Sequence, residues 1–469
     1  MLIKGIRRLA FFVGPLLLLV VAAILLYGSG HNGRLLGDGS SWTANKLTEA
    51  APGTKSRSSL QDSFFLGNSK PPKSMGKNNQ SNVSHTHTEV FSVSTKDGKY
   101  FPIKFGDEEA INPSIIPHPT RNETWIIVAQ QGKGPEDHSS LWFTELVCDA
   151  QFKKGRLECL KPPKILPIAA TLSGDKCTGD LSYFALNVGP HDARVFYGPD
   201  APYAIYGSNS ALTCFGQWIQ DFRMLVDWKG ETIFAGNQYR LGTELQRPPP
   251  YGLVEKNWFV FWDTVGDAYL HYDVAPKRVF AKLEYDGSVG QDLAPLAAFN
   301  DEQCMLKYMP KVAEQLESIH QATNSLSITL CERSDPGCQP NDSNTYILTI
   351  FQHKSFYSYH SVYEPYVMLF KRTAPFEVHA ISSKPIWIHG RGKAGEAERP
   401  EGAEFQQLAE WNQTEMVYVT SISWKAHGQK YHGYRDDVLF LNFGIEDKRT
   451  GGIDIIAGDL LKDVNLCAF

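Results

Sequence analysis

Glu255-Lys-Asn-Trp-Phe-Val-Phe-Trp262 opens with three polar residues and then turns wholly apolar and aromatic. A short run of that composition reads as a strand, with Lys256 and Asn257 at its mouth. The same texture recurs on either side, at Trp125-Ile-Ile-Val-Ala129, Tyr203-Ala-Ile-Tyr206, Tyr269-Leu-His-Tyr272, Tyr346-Ile-Leu-Thr-Ile-Phe351, Tyr366-Val-Met-Leu-Phe370, Met416-Val-Tyr-Val419 and Val438-Leu-Phe-Leu441. Helical periodicity is nearly absent, and only Asp301 to Thr323 predicts a helix. Paired strands returning at intervals of roughly 50–80 residues predict an all-β fold, a β-propeller, in which radial repetition protects the sheet edges. A β-sandwich with insertions is the alternative. No G-x-G-x-x-G or P-loop occurs, which argues against a Rossmann-type nucleotide fold.

The strand-rich part is one portion of a 469-residue chain. Leu9 to Tyr27 form a 19-residue run without a charge, preceded by Lys4, Arg7 and Arg8. That run nearly crosses a hydrocarbon core of about 30 Å and predicts a transmembrane signal anchor with a cytoplasmic N-terminus, a cleaved signal peptide being the alternative. From Gly28 to Thr88, 33 of 61 residues are Gly, Ser, Asn, Pro or Thr, too few large apolar side chains to offset the entropy of ordering. The expected organisation is therefore a tail over 1–8, an anchor over 9–27, a disordered stem over 28–88 and a lumenal catalytic domain over 89–469.

Charge divides along the same boundary. Residues 1–88 carry 10 Lys and Arg against 3 Asp and Glu, while residues 89–469 carry 36 against 48. So acidic a main segment is a poor nucleic-acid binder. All eight cysteines lie beyond residue 147. An even count suits disulfides in a non-cytosolic compartment, and Cys148 with Cys159 and Cys331 with Cys338 are close enough to close short loops, although spacing does not fix the connectivity. Sequons at Asn79, Asn82, Asn122, Asn341 and Asn412 are candidate glycosylation sites there. Anchor, stem and domain in this order are the layout of a type II Golgi-resident enzyme, shared with many surface proteins.

Chemistry-bearing residues gather at strand ends. In Gly189-Pro-His-Asp-Ala-Arg-Val-Phe-Tyr197 a carboxylate lies two residues from a guanidinium, so an extended chain sends both from one face. Asp192 and Arg194 are then either a local ion pair or a general acid/base with its orienter. Lys256 and Asn257, Lys277-Arg278, His353-Lys354 and Glu446-Asp447-Lys448-Arg449 repeat the placement and suggest a central pocket, though exposed salt bridges are the common fate of such residues.

In this order the segments resemble the five-bladed propellers of glycoside hydrolase family 130 and glycosyltransferase family 108, the β-mannoside phosphorylases and β-1,2-mannosyltransferases. The family's Asn-Pro-x is similar to Asn112-Pro-Ser114, its Glu-Asp-Pro-Arg-Val to His191-Asp-Ala-Arg-Val195, its Lys-Asn-x to Lys256-Asn-Trp258, and its Ser-x-x-Pro-Ile to Ser383-Lys-Pro-Ile386. Its Tyr-His-Gly is matched only at the histidine of Gln352-His-Lys354, and its closing Tyr-Gly-Ala-Ala-Asp resembles Phe443-Gly-Ile-Glu-Asp447. His191 stands where the family has Glu and Ala193 where it has Pro.

The resemblance implies an inverting glycosyltransferase that adds β-linked mannose, β-1,2 in the family, to a glycan or cell-wall acceptor. Asp192 would be the catalytic base, and Arg194, Lys256, Arg278 and His353 would neutralise the departing phosphate of a nucleotide sugar such as GDP-mannose or of a sugar phosphate. Asn112, Asn257 and Asp447 would bind sugar hydroxyls, and Trp258 would pack on a sugar ring. No Asp-x-Asp occurs, so neither a metal nor another cofactor is expected. A mannoside hydrolase or phosphorylase of the same fold, and a glycan-binding propeller without catalysis, are the alternative readings.

Overall fold

The computed structural model describes residues 83–133, 141–228, 238–357, 360–397, 399 and 411–467. The anchor over 9–27, the sequons at Asn79 and Asn82 and nearly all of the stem lie outside these residues. Among the described residues no helix is long and apolar enough to cross a membrane. The last residues of the segment 28–88 are described: Val83–Thr86 form a helical turn, and Thr88 pairs with Ile386. Folded structure therefore begins before Glu89.

The strand runs read from sequence all lie in or at the edge of antiparallel strands, and these form five successive sheets, of which Phe101–Lys104 joins the first and the fifth into one. The first contains Ala110–Pro117, Trp125–Gln131, Glu145–Lys153 and Arg156–Cys159. The second contains His191–Tyr197, Pro202–Asn209, Phe215–Asp221 and Thr243–Glu244. Phe259–Trp262, Ala268–Asp273 and Val279–Lys282 make the third. The fourth is built on the long pair Thr345–Tyr357 and His360–Lys371, with Leu326–Thr329 and Glu317–Gln321 along one side and Val378–Ser382 on the other. Val417–Trp424, Val438–Ile445 and Arg449–Ile456 form the fifth.

Side-chain and backbone hydrogen bonds tie the first strands of neighbouring sheets into a closed circuit. Val195 N donates to Ser114 Oγ, Arg194 Nη2 to Asn257 Oδ1, Ser325 Oγ to Val260 O, Asn324 Nδ2 to Ile422 O and Thr420 Oγ1 to Pro113 O. Closure is completed outside by Phe101–Lys104, which pairs antiparallel with Gly451 and Gly452 and parallel with Leu157 and Glu158. One N-terminal strand thus covers the open edges of the last and first sheets, edges that would otherwise invite pairing with another chain. The all-β chain, its few helices and this nearly closed arrangement are consistent with a propeller.

The expected helix over 301–323 is shorter and starts earlier, at Ala298–Tyr308. Met309 is extended, as suits a residue before proline, and Pro310 cannot donate the next helical bond. Beyond it Glu317–Gln321 pairs with residues 351–355 as a strand. Four disulfides staple the described residues: Cys148–Cys159, Cys177–Cys214, Cys304–Cys467 and Cys331–Cys338. The two short loops expected from spacing are among them. Asn122, Asn341 and Asn412 are exposed.

Candidate active site

The site is built where the first strands begin. In the first sheet the register slips between Ile111 and Ser114, and in the second between His191 and Arg194. Each slip contains one residue in left-handed backbone, Asn112 at φ 55° and Asp192 at φ 52°. Asn257, just before the third sheet, has φ 65°, and Asp447, in the turn that leaves the fifth sheet's second strand, has φ 49°. Such conformations cost about 1–3 kcal/mol and are tolerated best by Asn and Asp among the side-chain-bearing residues. They re-aim the side chains at these four positions.

The resulting contacts are specific. Asn112 Nδ2 donates to Asp192 Oδ1 at 2.7 Å, and the Asp192 N–H donates to Gln130 Oε1 at 3.0 Å. Arg194, buried, donates from Nη2 to Asn257 Oδ1 at 2.5 Å and to the Tyr418 hydroxyl at 3.5 Å, while Tyr418 itself donates to Asn257 Oδ1 at 3.3 Å. Asp192, Arg194, Lys256 and Asn257 line one small cavity together with His191, Phe215 and Gln217. Of the two sequence readings, the local ion pair of Asp192 with Arg194 is not formed. Asn112 and Asn257 are their partners instead.

Electrostatics bring Asp447 into the same group. Burial, and then the charge of Asp192, push its carboxyl up to about 6, against the opposing pull of Lys256 and Lys354. Burial lowers the Lys256 ammonium, with Asp192 and Asp447 holding it up and Arg194 pushing it further down. Lys256 makes no ion pair within 4.0 Å among the described residues. The neighbouring Glu446 carboxyl is raised to about 7, chiefly by burial, although its Oε1 accepts from Met416 N at 2.7 Å. His191, half-buried against Phe143 and Phe215, is lowered to about 4, chiefly by desolvation. Two acidic groups, one of which holds its proton unusually well, thus face two lysines and an arginine. Such a set can move a proton to or from a substrate oxygen while neutralising an anion.

Three of the residues expected at the site lie elsewhere. Trp258 is only 2% exposed and packs edge-on against Tyr272 in the core, at 4.8 Å between ring centres. It follows the left-handed Asn257, and the strand carries it inward, so it cannot stack on a sugar. Arg278, also 2% exposed, is bound by Asp301 at 2.6 Å and by the Phe376 carbonyl, and it braces the helix Ala298–Tyr308. His353 turns away to Glu317 at 3.2 Å. Successive strand residues alternate faces. It is the next residue, Lys354, whose charge reaches Asp447 and His320.

Sequence reasoning named Lys354 beside His353 at a strand end but gave the role to His353, and it missed Tyr418, Tyr363 and the buried Glu145. Tyr363 packs against Tyr418 at 4.9 Å and feels both Asp447 and Asp192. Only the alternation of Gln352-His353-Lys354 offered a signal, and it needs the strand's register to be used. Among the described residues no group of three His, Cys, Asp or Glu side chains is arranged to hold a metal ion.

No sequence profile of a known protein family matches the chain, and no curated protein matches it. Among solved structures it is similar to a β-1,2-mannobiose phosphorylase from Listeria innocua in complex with β-1,2-mannobiose, with 10% identity, 80% of this chain and 96% of that chain covered, and a TM-score of 0.41. It is also similar to a GH43 endo-arabinanase from Bacillus licheniformis, with 10% identity, coverages of 78% and 96% and a TM-score of 0.32. A GH62 hydrolase in complex with xylotriose gives 10% identity, coverages of 78% and 94% and a TM-score of 0.33.

Proposed function

We propose that the chain is a carbohydrate-active enzyme on a five-bladed propeller, which moves a mannosyl group between a β-mannoside and phosphate with inversion. The observation that carries this reading is the shared environment of Asp192 and Asp447 with Lys256, Arg194 and Lys354. In phosphorolysis a phosphate oxygen attacks the anomeric carbon from the face opposite the leaving group. The departing oxygen takes a proton from Asp192, directly or through a sugar hydroxyl. The lysines and Arg194 neutralise the phosphate, while Asn112, Asn257, Tyr418 and Asp447 supply partners for sugar hydroxyls. Mannose as the sugar rests on the sequence resemblance.

Run backwards, the same step is synthesis: Asp192 accepts the acceptor hydroxyl's proton, and mannose 1-phosphate is the donor. The glycosyltransferase expectation is thereby recast as one direction of a phosphate-dependent reaction. A nucleotide sugar such as GDP-mannose would present a phosphate to the same cations. An anchor over 9–27 and a lumenal, Golgi-type location remain proposals drawn from the sequence, in keeping with four disulfides.

The test is incubation of the purified full-length chain with β-mannosides in the presence and absence of phosphate, and with mannose 1-phosphate or GDP-mannose plus acceptor glycans, followed by product analysis. Mannose 1-phosphate formed only with phosphate supports the proposal. Free mannose formed equally without phosphate would make the enzyme a hydrolase, and glycan binding without turnover would leave a lectin-like propeller.

A further inference from the structure

Asp192 sits in the second sheet, but the groups that hold its backbone come from the first. Gln130 and Glu145 are cross-strand partners there. Their side chains reach across to two consecutive amides of the neighbouring strand: Asp192 N donates to Gln130 Oε1 at 3.0 Å, and Ala193 N donates to Glu145 Oε1 at 3.1 Å. Two residues on, Val195 N donates to Ser114 Oγ at 3.2 Å, again in the first sheet. The Asp192 and Ala193 amides lie inside the register slip between His191 and Arg194, where the strand's own ladder does not pair these residues.

We propose that Gln130 and Glu145 are positioning residues of the reaction, a clamp from the neighbouring blade that fixes the left-handed turn at Asp192 and so aims its carboxylate. The inference rests on the reading of Asp192 as the reacting acid. Glu145 is an expensive choice for a merely structural acceptor. It is completely buried, no cation pairs with it among the described residues, and its Oε2 has no hydrogen-bond partner. Burial, with the charge of Asp192 adding to it and the Ala193 hydrogen bond opposing it, pushes its carboxyl well up.

Full-length Glu145→Ala, Gln130→Ala and Glu145→Gln variants test this. With each alanine variant the account expects kcat to fall roughly 10–100-fold with KM within about threefold, because misplacement of the reacting group by about 1 Å is enough for that loss. Glu145→Gln keeps an acceptor and stays neutral, so it should hold kcat within about threefold and leave the pH profile in place. Hydrogen exchange, which needs no substrate, should quicken at Ala193 in Glu145→Ala and at Asp192 in Gln130→Ala. Wild-type kcat per folded molecule with unchanged exchange at both amides would overturn the clamp. So would a Glu145→Gln enzyme as impaired as Glu145→Ala with a displaced pH profile, since the charge of Glu145 would then be what matters. Should Glu145→Ala not fold, Gln130→Ala decides. If Asp192→Asn proves fully active, the proposed function fails, and the exchange measurement still judges the clamp on its own.

Discussion

Asn112 Nδ2 and Asp192 Oδ1 are 2.7 Å apart across 80 residues of sequence, and both residues are held in left-handed backbone inside matching register slips. A neutral amide, and not Arg194, thus orients the carboxyl group to which the proposed function assigns the proton transfer. Hydrogen bonds to charged groups contribute about 1.5–3 kcal/mol, so Asn112→Ala is expected to lower kcat/KM roughly 10–100-fold. Gly444→Ala should act in the same direction, because a methyl group there would collide with Asn112 Oδ1. Steady-state kinetics on both variants check this, and wild-type kcat/KM in Asn112→Ala would contradict it.

Asp447 gives a stability prediction with a definite sign. Its carboxyl is raised to about 6 in the folded protein from an ordinary 3.8, so the folded state holds the proton more tightly than the unfolded one. Folding stability is therefore fully supported by this group below pH 4 and declines as pH rises from about 4 to about 6. Asp447→Asn removes that penalty and should stabilise the protein at pH 7 by up to about 3 kcal/mol, with little effect below pH 4. Turnover should fall at the same time. Denaturant titrations at pH 4 and pH 7 measure the difference, and equal changes at both pH values would refute it.

Trp258 and Lys256 are neighbours with opposite expected phenotypes. Trp258→Leu should cost roughly 2–4 kcal/mol of stability while leaving the sugar KM per folded molecule unchanged, since the ring is core. Lys256→Met should do the reverse, raising the phosphate KM with stability kept or improved by the loss of a buried charge. Urea melts and kinetics on the pair separate the two roles.

His353→Gln is expected to leave activity as it is, because its partner is Glu317 on the adjacent strand. Lys354→Met should raise the phosphate KM about tenfold or more, as loss of a cation from an anion site does. A raised phosphate KM in His353→Gln with none in Lys354→Met would mean that the strand's faces are assigned the wrong way round.

These contrasts show where the sequence was readable. Apolar aromatic runs such as Trp258 to Trp262 marked strands because burial in a sheet demands them, and Asn112, Asp192, Asn257 and Asp447 stood out because each is an Asn or Asp at a strand mouth or in a strand-end turn. That type is chosen by a backbone turn as well as by chemistry, which is why short motifs around it carried information. The rest depended on register. One residue along a strand decides between His353, facing Glu317, and Lys354, whose charge reaches Asp447. Arg278 was misplaced because its partner Asp301 is 23 residues away on a helix whose start the sequence did not disclose. Glu145 carried no local signal at all, its role being defined by an amide of another sheet.

The central claim is tested most directly by following mannose 1-phosphate released from a β-mannoside by full-length wild-type protein and by Asp192→Asn, with phosphate present and absent. The account predicts release by the wild type that requires phosphate, and a loss of roughly 10²–10⁴ in turnover in Asp192→Asn with its folding intact. Release at the wild-type rate by Asp192→Asn, or none by the wild type from any β-mannoside offered, would contradict it.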